Sequence, residues 1–288
     1  MEISASMVKE LREKSGCGMM DCKKALLENE GDLQKSMDYL RKKGLAMAKA
    51  KADRTANEGI VYAQVSTDCK KGVLVEVNCE TDFVAKTDEF QGLAKDLAAH
   101  VFETSPSDVP SFLEQPFFKN KSMKVNDFIV EKVAAIKENI SVKRLTTFNA
   151  GLVHSYIHMG SKLGVLLEMT ADQTLANNPE YVELSKDLTM QIAAANPLFI
   201  DRNSVPKEVV EKEKEIYRAQ MAEQKKPANV IEKIIEGKIN KYFEEICLLE
   251  QSFVKNPDQK VNQYLAEKAK KLNQPVTVKK FVRFKIGE

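Results

Sequence analysis

The 288 residues predict an α+β protein in which a three-helix module precedes two related β-β-α-α-β subdomains with small antiparallel sheets, the second carrying an inserted antiparallel helical hairpin. Three observations carry that prediction: apolar side chains at helical spacing through residues 4–43, a glycine-bounded strand pair that occurs twice, and a long amphipathic stretch found only in the second copy. The divisions that follow are 1–43 for the helical module, 44–58 for a linker, 59–149 for the first subdomain and 150–288 for the second, with 205–250 as its arm.

In the module, helices are expected over Ser4 to Lys14, Met19 to Asn29 and Asp32 to Lys43, punctuated by Gly16, Gly18 and Gly31. Met7, Val8 and Leu11, then Cys22, Ala25 and Leu26, then Leu33, Met37 and Leu40 give each helix one apolar stripe. Ser4 and Asp32 are the expected N-caps, because a short side-chain oxygen can accept from the free amides of a first turn. So few residues bury little apolar area, which implies that the module docks onto something. Met19 and Met20 stand side by side at the start of the second helix and cannot both enter so small a core. Two readings stay open: that both are mostly core or helix-end packing, or an adaptable apolar contact for a partner with Arg12 and Lys23 alongside. Residues 44–58, rich in Ala and Lys, have helix propensity without a stripe and read as a semi-rigid connector.

The repeat comes next. Gly59 and Gly72 bound one strand pair, Gly151 and Gly164 the other, with 72 − 59 = 164 − 151 = 13. "LAKDLAAH" from Leu93 matches "LSKDLTMQ" from Leu184, and "VKRLTTF" from Val142 matches "VKKFVRF" from Val278. The second helix of each copy is expected over Ser122 to Glu138 and over Pro257 to Leu272. The first strands are offset by 151 − 59 = 92 and the last by 278 − 142 = 136, so the second copy holds 136 − 92 = 44 extra residues. They fall within Val205 to Glu250, a stretch that reads as two helices joined at Lys225-Lys226-Pro227, with Val209 and Ile216 on one seam and Ile231, Ile235, Tyr242 and Ile246 on the other. Such an arm suits partner binding or dimerisation, or is a solvated hairpin.

Between the second strand and the following helix of the first copy lies "VNCETDFVAK", residues 77–86. Shifted by 92, residues 81–86 fall on "QTLANN", a polar loop, so the scaffold can turn this corner without an Asp-Phe pair. Either Asp82 caps the helix and Phe83 packs beneath it, or the pair displays charge and apolar surface at a rigid corner.

Composition narrows the function. With 44 basic and 42 acidic residues the net charge of +2 points to a protein partner rather than a nucleic-acid groove or membrane surface. Five cysteines without a C-x-x-C indicate neither a disulfide framework nor a zinc pair. The charged opening "MEISASMVKELREK" lacks the apolar stretch of a secretory signal, and no apolar run nears the ~18 residues of a membrane span, so a cytoplasmic location is expected. "HMGSKLG" lacks the Gly-Lys-Ser/Thr order of a phosphate loop, and "GCGMMD" follows a helix and lacks a third glycine. His154 and His158 lie in a strand-like segment without a nearby third ligand. No catalytic residue, metal ligand or cofactor is therefore assigned.

"VKELREKSGCGMMDCKKAL", "EVNCETDFVAK", "HSYIHMGSKLGVLLE" and "PLFIDRNSVPKEVVEKE", in that order, resemble the elongation factor Ts family over nearly the whole chain. The family comprises nucleotide exchange factors of the translational GTPase elongation factor Tu. The resemblance implies a non-enzymatic exchange factor whose first module is a ubiquitin-associated (UBA-like) fold with Arg12, Met19 and Met20 at contact positions. It places the corner Thr81, Asp82, Phe83, Val84, Ala85 and Lys86 beside the GTPase's Mg²⁺ site, with Ile136 touching the partner and His158 facing another of its domains. Three departures stand out: Lys137 replaces a usual glycine, the chain ends at Glu288 without the C-terminal helix of some relatives, and His154 occupies a commonly small position. A homodimer within a heterotetramer is left open. The alternative is a nucleic-acid-binding translation accessory protein using Lys42 to Arg54, and a hydrolase would need a nucleophile-base pair that the motifs do not supply.

Overall fold

The computed structural model describes residues 3–221 and 227–288. Three helices open the chain: α1 (Ala5–Ser15), α2 (Met19–Glu28) and α3 (Leu33–Lys51). Ser4 and Asp32 cap the first and third as expected, accepting from the amides of Met7 and Lys35. The third helix does not stop at Lys43. It runs to Lys51, because nothing in the Ala/Lys-rich stretch breaks a helix and Gly44 is needed for close packing: a Cβ there would lie 3.0 Å from the Cβ of Ala134. The module has its own small core around Leu11, Cys22, Ala25, Leu26 and Leu40.

The first half continues through β1 (Glu58–Val65), β2 (Gly72–Cys79), α4 (Asp82–Ala85), α5 (Asp88–Thr104), α6 (Val109–Glu114), β3 (Pro116–Phe117), β4 (Asn120–Lys124), α7 (Val125–Ile136) and β5 (Ser141–Phe148). The second half comprises β6 (Leu152–Ile157), β7 (Leu163–Thr170), α8 (Pro179–Ala195), α9 (Lys207–Met221), α10 (Ala228–Ile246), β8 (Ser252–Phe253), β9 (Asn256–Lys260), α11 (Val261–Leu272) and β10 (Thr277–Lys285). Its sheet, ordered β10-β7-β6, is antiparallel throughout, as is the first sheet, β1-β2-β5.

Two sequence expectations need correction. Neither Ser122 nor Pro257 begins a helix; each lies in the second strand of a two-stranded hairpin, β3-β4 or β8-β9, and the helices start at Val125 and Val261. The hairpins are short, polar and exposed on β4 and β9, so they carry no alternation to read. Their recurrence makes the repeat deeper than expected. Phe117 stacks on Phe128 at 4.2 Å, and 136 residues on, Phe253 stacks on Tyr264 at 4.3 Å. Buried His100 receives the Phe118 amide and bonds Gln115; in the second half Gln191 receives the Val254 amide and bonds Gln251.

The two sheets pack face to face with a pseudo-twofold relation. Along β2, Val73, Val75 and Val77 face the helices of their own half while Leu74 faces the other sheet; Val165, Leu167 and Leu166 repeat that alternation in β7. A shared cluster of Val61, Leu74 and Phe148 with Val153, Leu166 and Phe284 joins the halves. Both sheets bulge at matching places, skipping Lys143 and Lys279. The guanidinium of Arg144, paired with buried Glu76, lies 4.6 Å from the Phe284 ring, and Lys280 lies 4.9 Å from the Phe148 ring. In the insertion, α9 and α10 pack together with Ile235, Ile239, Ile246 and Met221 buried, while Ile216 is exposed. The lysines of the Lys225-Lys226-Pro227 junction lie outside the described residues. No described helix is long and apolar enough to cross a membrane.

Candidate partner-binding site

β2 delivers the chain to the corner from inside the first core. Cys79 is fully buried, donates to the Thr81 carbonyl at 3.2 Å, and has its thiol pushed up to about 12, chiefly by burial and next by the charge of Glu138. It is an anchor, not a nucleophile. Thr81 then caps α4, its hydroxyl accepting from the Val84 amide at 3.3 Å. Asp82 is therefore not the cap. It is the first residue of the helix and pairs with Lys86 at 2.6 Å, an interaction that holds its carboxyl below the usual range.

Ala85 is buried and Val84 packs on the first core, which fixes α4 by one side. Phe83 points the other way and is 79% exposed. Burying a phenyl ring would stabilise the fold by about 1.5–3 kcal/mol, a gain that this outward ring forgoes. Lys86 bridges the pair, its Nζ 6.0 Å from the ring centroid and bonded to the Asp82 carboxylate.

Glu138 sets the corner from across the sheet. Its carboxylate accepts from the Glu80 and Thr81 amides at 3.1 and 3.0 Å and from the Thr81 hydroxyl at 2.6 Å; in return Glu80 accepts from the Asn139 amide at 2.7 Å. Ile136, at the end of α7, is half-buried against the first core. Lys137 follows in the left-handed region at φ 66°, where a glycine is the least strained residue.

The helical module docks along α7, from its first turn to the residue after its last. Asp21 bonds Lys43 at 2.8 Å and Lys137 at 3.1 Å, Arg41 pairs with Asp127 at 3.2 Å, and Lys51 donates to the Lys137 carbonyl at 2.7 Å. Bonds to Lys43 and Lys137 hold the Asp21 carboxyl below its ordinary range. The two residues before Asp21, both methionines, face water, Met19 60% and Met20 77% exposed. Neither is core, so the helix-end packing reading fails for both. Arg12 is exposed on α1.

His158 is exposed at the end of β6, its Nδ1 2.9 Å from the Tyr156 hydroxyl. The turn that follows brings Lys162 back to Glu58 and to the Gly59 carbonyl, at the start of the strand against which α4 also packs. The structure thus gathers Thr81 to Lys86, Ile136 and, through Asp21, the methionine turn around one end of α7, with the His158 turn tied to β1. Sequence reasoning missed Glu138. Only its position directly after Lys137, opposite Gln274 under the 136-residue offset, marks it. Among the described residues, no group of three or more His, Cys, Asp or Glu is placed to hold a metal.

The family model for elongation factor TS matches residues 80–288. The elongation factor Ts of Trichlorobacter lovleyi is 47% identical over 291 residues, spanning 100% of this chain and 94% of the relative. That of Clostridium perfringens strain SM101 is 48% identical over 288 residues, spanning 99% and 93%, and that of Clostridium botulinum strain Loch Maree is 45% identical over 288 residues with the same coverage. This chain belongs to the elongation factor Ts family.

Proposed function

We propose that the chain is the nucleotide exchange factor of elongation factor Tu and that it promotes GDP release by wedging Phe83 and Asp82 beside the GTPase's Mg²⁺ and phosphate site. Family membership supports the partner and the activity. The observation that carries the mechanism is the exposed phenyl ring on a corner anchored by Val84, Ala85 and Glu138. GDP is retained by Mg²⁺ and by backbone donors around its phosphates, so a rigid apolar side chain that displaces those elements weakens metal and nucleotide together, without covalent chemistry. By linkage, a factor that lowers GDP affinity itself binds the GDP-bound partner less tightly by the same free energy.

In this reading the UBA-like module, residues 1–43, applies Met19, Met20 and Arg12 to the GTPase domain; Thr81–Lys86 and Ile136 form the wedge; and the second subdomain contributes His158. The nucleic-acid alternative loses ground on charge: within Lys42 to Arg54, Lys43, Lys51 and Arg54 are engaged by Asp21, the Lys137 carbonyl and Glu80. Stopped-flow release of a fluorescent GDP analogue from elongation factor Tu tests the wedge. Asp82→Ala with Phe83→Ala should slow release at saturating factor about 100-fold while weakening binding less; undiminished acceleration overturns the assignment.

A further inference from the structure

We infer that Glu138 is the positioning residue of the exchange corner: it touches neither nucleotide nor metal, and acts by fixing the direction in which α4 presents Phe83. This rests on the exchange reading and deepens it. A helix of only four residues forms too few internal hydrogen bonds to hold its own direction. Its start must be set from outside, and three donors of the Glu80-Thr81 segment converge on the single carboxylate of Glu138. Glu138 is itself held, because the residue after it donates to Glu80, closing a reciprocal clasp between the β2 exit and the α7-β5 connection.

The second subdomain supplies the control. Gln274 stands at the matching place, 274 − 138 = 136, after a residue that likewise adopts the left-handed conformation. Its side-chain Oε1 is buried with no partner. The corner there is held otherwise, with Asp172 accepting from the amide and hydroxyl of Thr174 at 2.8 and 2.6 Å and Gln173 donating to the Asp68 carbonyl of the other half at 2.6 Å, and it presents no exposed aromatic. The cross-sheet clasp accompanies the projecting side chain and is missing where nothing projects.

Glu138→Ala and Glu138→Gln, made in the full chain, test the inference by two readouts. In Glu138→Ala, hydrogen exchange at the Glu80 and Thr81 amides should accelerate about tenfold or more with no partner present. The maximal rate of GDP release from elongation factor Tu should fall about tenfold, while the factor concentration giving half that rate moves less than about threefold. Glu138→Gln keeps one acceptor for the two amides and should recover most of both. In an Asp82→Ala, Phe83→Ala background, Glu138→Ala should cost nothing more, because the residue acts only through the side chains that α4 presents. Unchanged amide exchange, a maximal rate within twofold of wild type, or additivity with that double variant each overturns the positioning role. A wild-type chain that leaves GDP release unchanged overturns the exchange reading instead, and with it the role built on it, and that outcome is read before any variant is compared.

Discussion

The first subdomain turns from β2 to α5 through the four residues of α4, with Phe83 outside; the second turns from β7 to α8 through a tighter turn, Gln173–Leu175, with Leu175 buried in its core. The frames on either side match. The first strands are offset by 151 − 59 = 92 residues, but the N-caps of the following helices, Thr87 and Asn178, by 178 − 87 = 91. The first corner therefore holds one residue more. Aligned from the helix side, the N-caps Thr81 and Asp172 coincide, Val84 and Ala85 match Leu175 and Ala176 on the core side, and Phe83 matches the exposed Thr174. The extra residue thus precedes the cap, and the two corners differ in what stands at one outward position and in the carboxylate clasp, with the cores left alike.

Replacing Phe83 with threonine, the residue at the matching place in the second corner, should have the largest effect: loss of accelerated GDP release, with a melting temperature close to that of the parent because Val84 and Ala85 keep their places. A Phe83→Thr variant that still releases GDP at the parental rate would show that the outward ring is not what separates the two corners.

The next effect concerns acid. His154 meets Tyr181 edge to face at the second core, where the first half has Tyr62 and Phe90, and burial lowers it to about 4. His100 is also lowered by burial, whereas its counterpart Gln191 cannot titrate. Both histidines fold neutral with depressed values, so below about pH 6.5 the unfolded chain binds more protons and stability falls. For His154 the loss should reach about 3 kcal/mol by pH 4. Urea unfolding between pH 7 and 5.5, above most carboxylate titration, should show a slope that flattens in His154→Tyr and further with His100→Gln, each exchange copying the other half. An unaltered slope would mean that the rings are hydrated in the fold.

The contact between halves offers a smaller and symmetric test. A Cβ at Gly72 would lie 2.5 Å from Val153, and one at Gly164 would lie 2.5 Å from Val61, which are equivalent positions across the pseudo-twofold. Gly72→Ala and Gly164→Ala should each destabilise by about 1–3 kcal/mol, and by similar amounts, in denaturant titrations. Unequal losses would show that one sheet yields more readily than the other.

Much of this frame was legible in the sequence because glycine spacing and apolar alternation are local signals: the strand pairs, the module's stripes and the arm all follow from them. The hairpins β3-β4 and β8-β9 were not, since two paired residues at a polar, exposed edge leave no period to detect. The string Thr81 to Lys86 stood out as chemistry without a purpose in the scaffold, but its direction was hidden. That direction depends on Glu138, 57 residues away from Thr81 and brought near only by sheet pairing. Asp82 looked like a cap for the same reason: cap preferences rank Asp with Thr, and only geometry chooses between neighbours.

Lys137 carries the smallest expected effect and separates two causes. Its left-handed backbone matches that of Asn273, the corresponding residue after α11, and either position favours Gly or Asn over a long side chain. Replacing Lys137 with glycine relieves a cost of about 1 kcal/mol but removes the bridge to Asp21, which is partly exposed and contributes about 0–1 kcal/mol. The unfolded chain also gains freedom from a glycine, which offsets part of the relief. The net change should thus stay within about 1 kcal/mol, and Lys137→Asn, which tolerates the same backbone with less entropy in the unfolded chain, should be the more stable of the two. A loss well beyond 1 kcal/mol in both variants, accompanied by faster amide exchange in α2, would mean that the Asp21 bridge, rather than the packing of Gly44 on Ala134, holds the methionine-bearing module in place.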